Sequence, residues 1–517
     1  MLILCLGSEY FHDAFHKLGH TVLAPPHQEG YPVDALFNNL RDRPDLIVYT
    51  DHLGVHGWPE GIADLHGVPR VYYAVDTPIN LWWQRHFARL FDYVFADQKP
   101  CADELSQIGV KAGWLPVGVD AKSYLPSSGE GEGEGKLYDF GFVGVLDEGR
   151  RPKRARLMNL ISQRYSVKTA GSRGDGWVGP GESGQLYRQS KLALNENLFP
   201  GVTMRMLEAM ASGAVLFTEK AGGDLGELFT PGEEFAWFDP PELLDAAENW
   251  LGDEKLRKRV AKRASEKVQS FHDVVNRAES FLSAVQGVNP GTALSGKAAA
   301  DEEGRFLFLT ALRWPREDGQ KRLVRAEKLF RDADSRGELS PAGLFMLGHI
   351  QRLKKKPEDA KAYLSRAWEA GEIRGALGMG MLSLASQDTS AASEWLSRFT
   401  GVGDFPKLTL DSLSFPAAKL VAKKLLDSGE DVCPGFSRGQ HDPAVWTAFE
   451  FYLTAFNADP SDLECARSLC GILLNRGAAA EALEFAQKAM EHHPEDEVLG
   501  AVFAEAGRET YLTVNMN

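Results

Sequence analysis

Arg205 and Glu208 stand three residues apart in GVTMRMLEAMASGAVLFTE, an interval that puts a cation and a carboxylate on one face of a helix. The pattern predicts that helix from about Met204 to Ala211, preceded by Gly201 and Thr203. Its first turn leaves backbone N–H groups without intrahelical partners, a setting that favours a phosphate, and Arg205 can pair with the same oxygens. Gly213 ends the helix and turns the chain into the apolar run AVLFTE. Gly222 and Gly223 then form a loop where backbone can approach a ligand closely.

Placing these groups requires sheets. LILCLG, HTVLAP, DLIVYTDH, RVYYAVD and YVFADQ are short apolar runs separated by helical patterns, which reads as a parallel sheet covered on both faces. KLYDFGFVG, YSVKTAG, KLALNE, AVLFTE and EFAWFD repeat the plan. The fold class expected is α/β, two Rossmann-like doubly wound domains with their strand ends on a shared crevice, followed by an all-α domain. SSGEGEGEGK (127–136) reads as a solvated tether and QGVNPGTALSGKAAADEEG (286–304) as a second joint. They divide the chain at about 1–128, 136–285 and 305–517.

In the third segment Ala326, Phe330 and Ala333 recur as Ala360, Leu364 and Ala367, and again as Ala392, Leu396 and Phe399. Ala448, Tyr452, Ala455 and Pro460 recur as Ala482, Ala486, Ala489 and Pro494. A period near 34 with small residues at fixed offsets resembles the tetratricopeptide (TPR) pattern of stacked helix pairs. Residues 400–440 do not keep the period.

Composition narrows the partners. A chain of 517 residues has room for three to four domains, and 44% hydrophobic with 25% charged residues is that of an ordinary folded protein. Its net charge of −15 repels phosphate backbones and anionic lipid, so neither a nucleic acid nor a membrane surface is expected as partner. The sequence has no apolar run of about 18 residues, and MLILCLGSEYF has no basic leader segment, which points to the cytoplasm. Five scattered cysteines (Cys5, Cys101, Cys433, Cys465 and Cys470) suit a reducing compartment and argue against a zinc site.

The stretch Asn195 to Glu234, with YVFADQKPCADEL, the LPVGVD turn and DFGFVG upstream, resembles the donor-binding core of GT-B glycosyltransferases of the group 1 type, and within them the CgeB-like group. That resemblance implies a nucleoside-diphosphate sugar, a UDP-sugar first, as donor, with no cofactor and no metal. It implies that Glu208 accepts hydrogen bonds from the ribose hydroxyls and that Arg205, Thr203 and Gly201 border the phosphates. Pro200 stands eight before Glu208, where retaining relatives carry a second glutamate, so sugar contacts must come from elsewhere: Asn195, Glu196, Asn197 or backbone amides.

A departing diphosphate needs positive charge. After DFGFVG come Arg150, Arg151, Lys153 and Arg154; Arg150 and Arg151 lead, with Lys168 second. The one Asp-x-Asp triplet, Asp332 and Asp334, lies in the repeat region. A base that takes the acceptor's proton is expected at the strand ends of the first domain, where Asp51, His52 and Asp76 stand. Asp76 is the first choice and His52 the second; Asp76 equally suits an Asx turn capping the next helix. Gly7 and Ser8 face the same crevice, and Trp82 with Trp83 form either a sugar-stacking wall or part of the core. The reading is a glycosyltransferase acting on an acceptor hydroxyl, on a protein recruited by the TPR-like domain. The alternatives are a polysaccharide or lipid-linked acceptor, or a non-catalytic scaffold.

Overall fold

A computed structural model describes residues 1–25, 31–51, 58–125, 135–146, 152–171, 178–197, 201–220, 223–313, 317–403, 405–406, 408, 413–428, 447–474 and 479–502. The first domain runs β1 (Leu2–Gly7), α1 (His12–Lys17), β2 (Thr21–Leu23), β3 (Tyr31–Pro32), α2 (Val33–Asn38), β4 (Leu46–Thr50), β5 (Pro59–Glu60), β6 (Arg70–Ala74), α3 (Thr77–Ala88), β7 (Tyr93–Ala96), α4 (Lys99–Gln107) and β8 (Ala112–Trp114). Its main sheet has the order β2-β1-β4-β6-β7-β8, with every pairing parallel. All five residues of β4 and of β6 are buried, as β-branched and aromatic runs must be when helices cover both faces.

The second domain runs β9 (Tyr138–Val143), α5 (Pro152–Ser162), β10 (Val167–Ala170), α6 (Pro180–Arg188), β11 (Ser190–Asn195), α7 (Met204–Ala211), β12 (Val215–Glu219), α8 (Leu225–Leu228), β13 (Ala236–Phe238), α9 (Leu243–Gly252), α10 (Glu254–Phe271) and α11 (Val274–Val285). Its sheet, β10-β9-β11-β12-β13, is again parallel throughout. Two Rossmann-like domains are therefore present, as expected. The chain crosses between them twice. Val117, Val119, Ala121 and Tyr124 pack into the second core beside Val202 and Met206, and α11 returns Ala278 and Phe281 to the first core beside Phe11 and Phe15.

The helical segment is built from hairpins. α12 (Gly296–Arg313) pairs with α13 (Glu317–Ser335), α14 (Pro341–Leu353) with α15 (Pro357–Glu369), and α16 (Arg374–Ala385) with α17 (Thr389–Thr400). α18 (Phe415–Asp427) pairs with α19 (Ala448–Ala458), and α20 (Leu463–Leu474) with α21 (Ala479–Met490). The recurring alanines and bulky residues fall on α13, α15, α17, α19 and α21, and none is more than 2% exposed. Small residues let adjacent pairs approach: a Cβ on Gly375 would lie 2.6 Å from the Leu364 carbonyl. The break in period coincides with the segment around α18, and most of the tether at 127–136 lies outside the described residues.

The second expected joint is not a free linker. The Asp92 carboxylate accepts the N–H groups of Gly291, Thr292 and Ala293 at 2.9, 2.8 and 3.0 Å, and α12 begins at Gly296. α12 then lies on α3. Phe306 meets Phe87 and Trp58 at ring separations of 4.7 and 5.5 Å, and Glu302 binds Arg89 at 2.9 Å and His86 at 2.6 Å. Trp82 and Trp83 are 8% and 1% exposed, and Trp83 packs with Trp58, Phe87 and Phe306, so the aromatic pair belongs to this core and not to a sugar wall. Composition alone reads 286–304 as loose because small residues pack only against a partner surface the local sequence does not contain.

Among the described residues, no helix is long and apolar enough to cross a membrane. Cys5, Cys101, Cys465 and Cys470 are buried free thiols, burial pushing Cys5 up to about 12 and Cys101 to about 11. Cys433 lies outside the described residues. Because Phe306 bridges two domains, Phe306→Ala is expected to cost about 3–5 kcal/mol, read by urea unfolding followed through tryptophan fluorescence. A loss confined to the helical transition, with the α/β transition unmoved, would contradict a shared core.

Candidate active site

Strand order decides where a ligand can enter. In the second sheet β10 lies on one side of β9 and β11 on the other, so the loops leaving β9 and β11 diverge and open a crevice at their C-terminal ends. Arg205 spans that crevice. Its Nε donates to the Val143 carbonyl at the end of β9 at 2.9 Å, and its Nη1 to Asn195 Oδ1 at the end of β11 at 3.4 Å. The guanidinium lies 4.9 Å from the centre of the Phe142 ring, which Arg154 approaches at 5.4 Å. Gly144 holds φ at +144°, and a Cβ there would meet Arg205 Nη2 at 2.9 Å, so glycine makes room for the cation.

Arg205 belongs to the first turn of α7, whose span Met204–Ala211 is the one its sequence predicts. Thr203 occupies the N-cap position without capping, and its Oγ1 is buried with no hydrogen-bond partner among the described residues. The first-turn N–H groups are thus left unused by the side chain that normally takes them. Gly213 closes the helix at φ +77°, with Gly213 N donating to Met210 O and Ala214 N to Ala209 O, a Schellman ending. Glu208 accepts from Tyr124 Oη at 2.9 Å; burial raises its carboxyl, against the lowering effects of Tyr124 and Arg205.

The first sheet repeats the device. β2 and β4 flank β1, and the ends of β1 and β4 carry Gly7 and Asp51. Gly7 turns at φ +82°, where a Cβ would lie 2.1 Å from the Thr50 carbonyl, and Ser8 N donates to that carbonyl at 2.9 Å. Asp51 Oδ2 accepts from Tyr72 Oη at 2.7 Å, Val75 N at 3.1 Å and Gln84 Nε2 at 2.7 Å. Burial pushes its carboxyl up to about 7 despite these donors. Asp76 follows β6 in the left-handed region, φ +52° and ψ +39°, a strained setting for a residue with a Cβ. Its N–H donates to Asp97 Oδ2 at 2.9 Å, while Asp97 Oδ1 accepts from Thr77 N at 3.1 Å and Thr77 Oγ1 at 2.5 Å.

The two edges face each other, because Gln98 after β7 bonds to Val202 before α7 and Lys99 bonds to Asp224 after β12. Gly7, Asp51 and Asp76 therefore lie on one side of the crevice, and Gly201, Thr203, Arg205 and Glu208 on the other. Asn195 and Asn197 are engaged in holding the end of the second sheet: Asn195 donates to Thr218 Oγ1 and Asn197 Oδ1, and Asn197 to the Glu219 carbonyl. Glu196 and Glu219 pair with Arg154 at 3.0 Å and Lys153 at 2.7 Å, so half of the basic run is committed to internal ion pairs. Lys168 is exposed on β10, opposite Gly141 and short of the strand's C-terminal end. His52, Arg150, Arg151, Pro200 and Gly222 lie outside the described residues. Asp334 pairs with Arg366 in the helical domain.

Local sequence pattern does not single out Gln98, Asp97 or Tyr124. The signal for the first two is the polar pair that ends the apolar run YVFA, the place where strand-end groups meet a ligand or a facing domain.

Residues 150–283 match the family model described as glycosyl transferase-like. Among curated proteins no sequence relative matches. Solved structures similar to this chain include HepE of Anabaena in complex with UDP and glucose, 16% identical over 55% of this chain and 99% of that one, with a TM-score of 0.39. A glycosyltransferase from Rickettsia africae is 11% identical over 56% of this chain and 98% of that one, with a TM-score of 0.40. Sucrose-phosphate synthase from Thermosynechococcus elongatus is 13% identical over 56% of this chain and all of that one, also at 0.40.

The raised Asp51 carboxyl sets a pH dependence. The folded protein holds a proton between about pH 4 and 7 that the unfolded chain has lost, so this group's contribution to stability falls as pH rises through that window. Asp51→Asn keeps an acceptor for the three donors and removes the titration. The difference in unfolding free energy between wild type and Asp51→Asn is expected to change by up to about 4 kcal/mol between pH 4 and 8, in favour of the variant. Parallel stability curves would place Asp51 in a solvated setting.

Proposed function

We propose that this chain is a glycosyltransferase that moves a sugar from a nucleoside-diphosphate sugar, a UDP-sugar first, to an acceptor hydroxyl. The observation that carries the reading is Arg205 spanning the β9–β11 crevice beside the open first turn of α7, within the stretch that matches the glycosyl transferase-like model. Bond breaking puts negative charge on the departing diphosphate. A fixed guanidinium and aligned N–H groups stabilise that charge without reorganising. In this reading they do so in place of a metal ion, aided by Arg150 and Arg151. Glu208, oriented by Tyr124, takes the ribose hydroxyls as an acceptor.

The proton from the acceptor goes to the first domain. Asp76 is the proposed base, its backbone fixed by Asp97, with His52 second; Asp51, near neutrality, is placed to share the proton at the same edge. The helical hairpins supply a protein-binding surface, so a protein acceptor or docking partner is proposed, and the hairpin stack is read as TPR-like.

Incubation with a panel of nucleotide sugars, following release of nucleoside diphosphate, tests the reading; no binding and no turnover with any donor would defeat it and leave the scaffold alternative. Glu208→Ala and Arg205→Ala are each expected to weaken UDP binding about tenfold or more in calorimetry. Asp76→Asn is expected to leave that binding within twofold and to lower kcat by about 10²–10⁴. Unchanged kcat in Asp76→Asn would move the base to Asp51 or His52. Turnover is expected to survive exhaustive chelation.

A further inference from the structure

Among the described residues, the dipeptide Gln98–Lys99 of the first α/β domain meets the second across the strand ends. Gln98 follows β7 in extended backbone, φ −121° and ψ +135°, and is 1% exposed. Its carboxamide pairs with the peptide of Val202 as a neighbouring strand would. Gln98 Nε2 donates to the Val202 carbonyl at 2.9 Å, and Val202 N donates to Gln98 Oε1 at 3.0 Å. The complementary pair fixes which way the amide faces. Gly201 lies beneath it, where a Cβ would come within 2.1 Å of Gln98 Oε1; the clasp therefore requires glycine at 201. Lys99 extends the contact, its N–H donating to Asp224 Oδ2 at 2.7 Å and its Nζ to both Glu227 oxygens at 2.8 and 2.7 Å.

Val202 is the last residue before Thr203 and the first turn of α7, and Arg205 is three residues further on. The peptide that the first domain grips is thus the one from which α7 starts. A shift of about 1 Å there passes directly to Arg205, enough to change charge stabilisation substantially. Neither core needs the clasp for its own packing, since Val202 already has apolar neighbours in the second core.

We propose that Gln98 is a positioning residue: the first domain, through this carboxamide, sets the start of α7 and with it the Arg205 guanidinium, so the diphosphate site of the second domain is complete only while the first domain is engaged. This rests on the donor reading above. The ligand class is a nucleoside diphosphate, and the specificity of the contact lies in the paired amide, which leucine cannot imitate and glutamate imitates by half.

The test uses the full chain, with UDP as probe, in wild type, Gln98→Glu, Gln98→Leu and Gly201→Ala. Titration calorimetry is expected to give affinities in the order wild type, Gln98→Glu, Gln98→Leu, the last weakened about tenfold or more, because the Val202 amide and carbonyl lose their partners. Gly201→Ala is expected to match Gln98→Leu, since its methyl expels the carboxamide. Melting temperatures within about 4 °C of wild type separate positioning from unfolding. UDP affinity within twofold of wild type in a folded Gln98→Leu would overturn the proposal. If wild type itself binds no UDP, the donor reading fails, and small-angle scattering still judges the clasp: Gln98→Leu is expected to enlarge the radius of gyration, and an unchanged value would overturn it.

Discussion

A cation held between the ends of two parallel strands is the constraint on which the site depends. A parallel sheet sends every strand's last carbonyl to the same edge, and where the strand order reverses, two of those ends lie side by side with no loop crossing between them. In the second domain that place is filled by Arg205, bonded to Val143 and Asn195 and backed by the Phe142 ring. The neighbouring Asn195, Asn197, Glu196 and Glu219 are spent on holding the edge in shape. Rigid surroundings of this kind would let a fixed charge act on the proposed diphosphate without moving during the reaction.

The helical domain is attached to the α/β frame by the same helix that leaves the first-domain strand ends. α3 begins at Thr77, whose N–H and hydroxyl both donate to Asp97, and it places Gln84 on Asp51. Further along, it presents Trp83, His86 and Phe87 to α12. A 12-residue helix is about 18 Å long, so one rigid element joins the proposed acceptor-side carboxylates to the hairpin stack. The hairpins are therefore joined to that frame through the α3–α12 contact, and the proposed partner would be held at a defined place relative to the crevice.

The buried acids divide by the company they keep. Glu327 is pushed up by burial, yet Lys354, Gln351 and Arg331 bring its carboxyl down to about 2. Asp51 accepts from neutral donors and has the Asp97 carboxyl nearby, and there burial prevails, aided by that like charge, leaving it at about 7. Neutral hydrogen bonds do not replace the solvation of a full charge, whereas a cation does much more of it. A chain with a net charge of −15 can thus keep one carboxylate acidic as structure and another near neutrality, the property the proposed proton transfer calls for.

Much of this was legible in the sequence. Apolar runs of strand length, glycines at the strand ends and the predicted span of α7 follow from local pattern, and the small-residue period of α13, α15, α17, α19 and α21 follows from the need to pack helix on helix. Spacing alone put Arg205 and Glu208 together. The short strand β8 carries only three residues and escapes such pattern reading. Tertiary structure decided the rest: that Trp83 faces Phe306 and not a sugar, that residues 291–293 are held by Asp92, that Lys153 and Arg154 are bound to acids, and that Gln98 grips Val202. Local order depends on periodicity within a dozen residues, which a sequence displays directly. A contact between residues a hundred positions apart depends on how two finished surfaces meet, and that geometry exists only once the chain has folded.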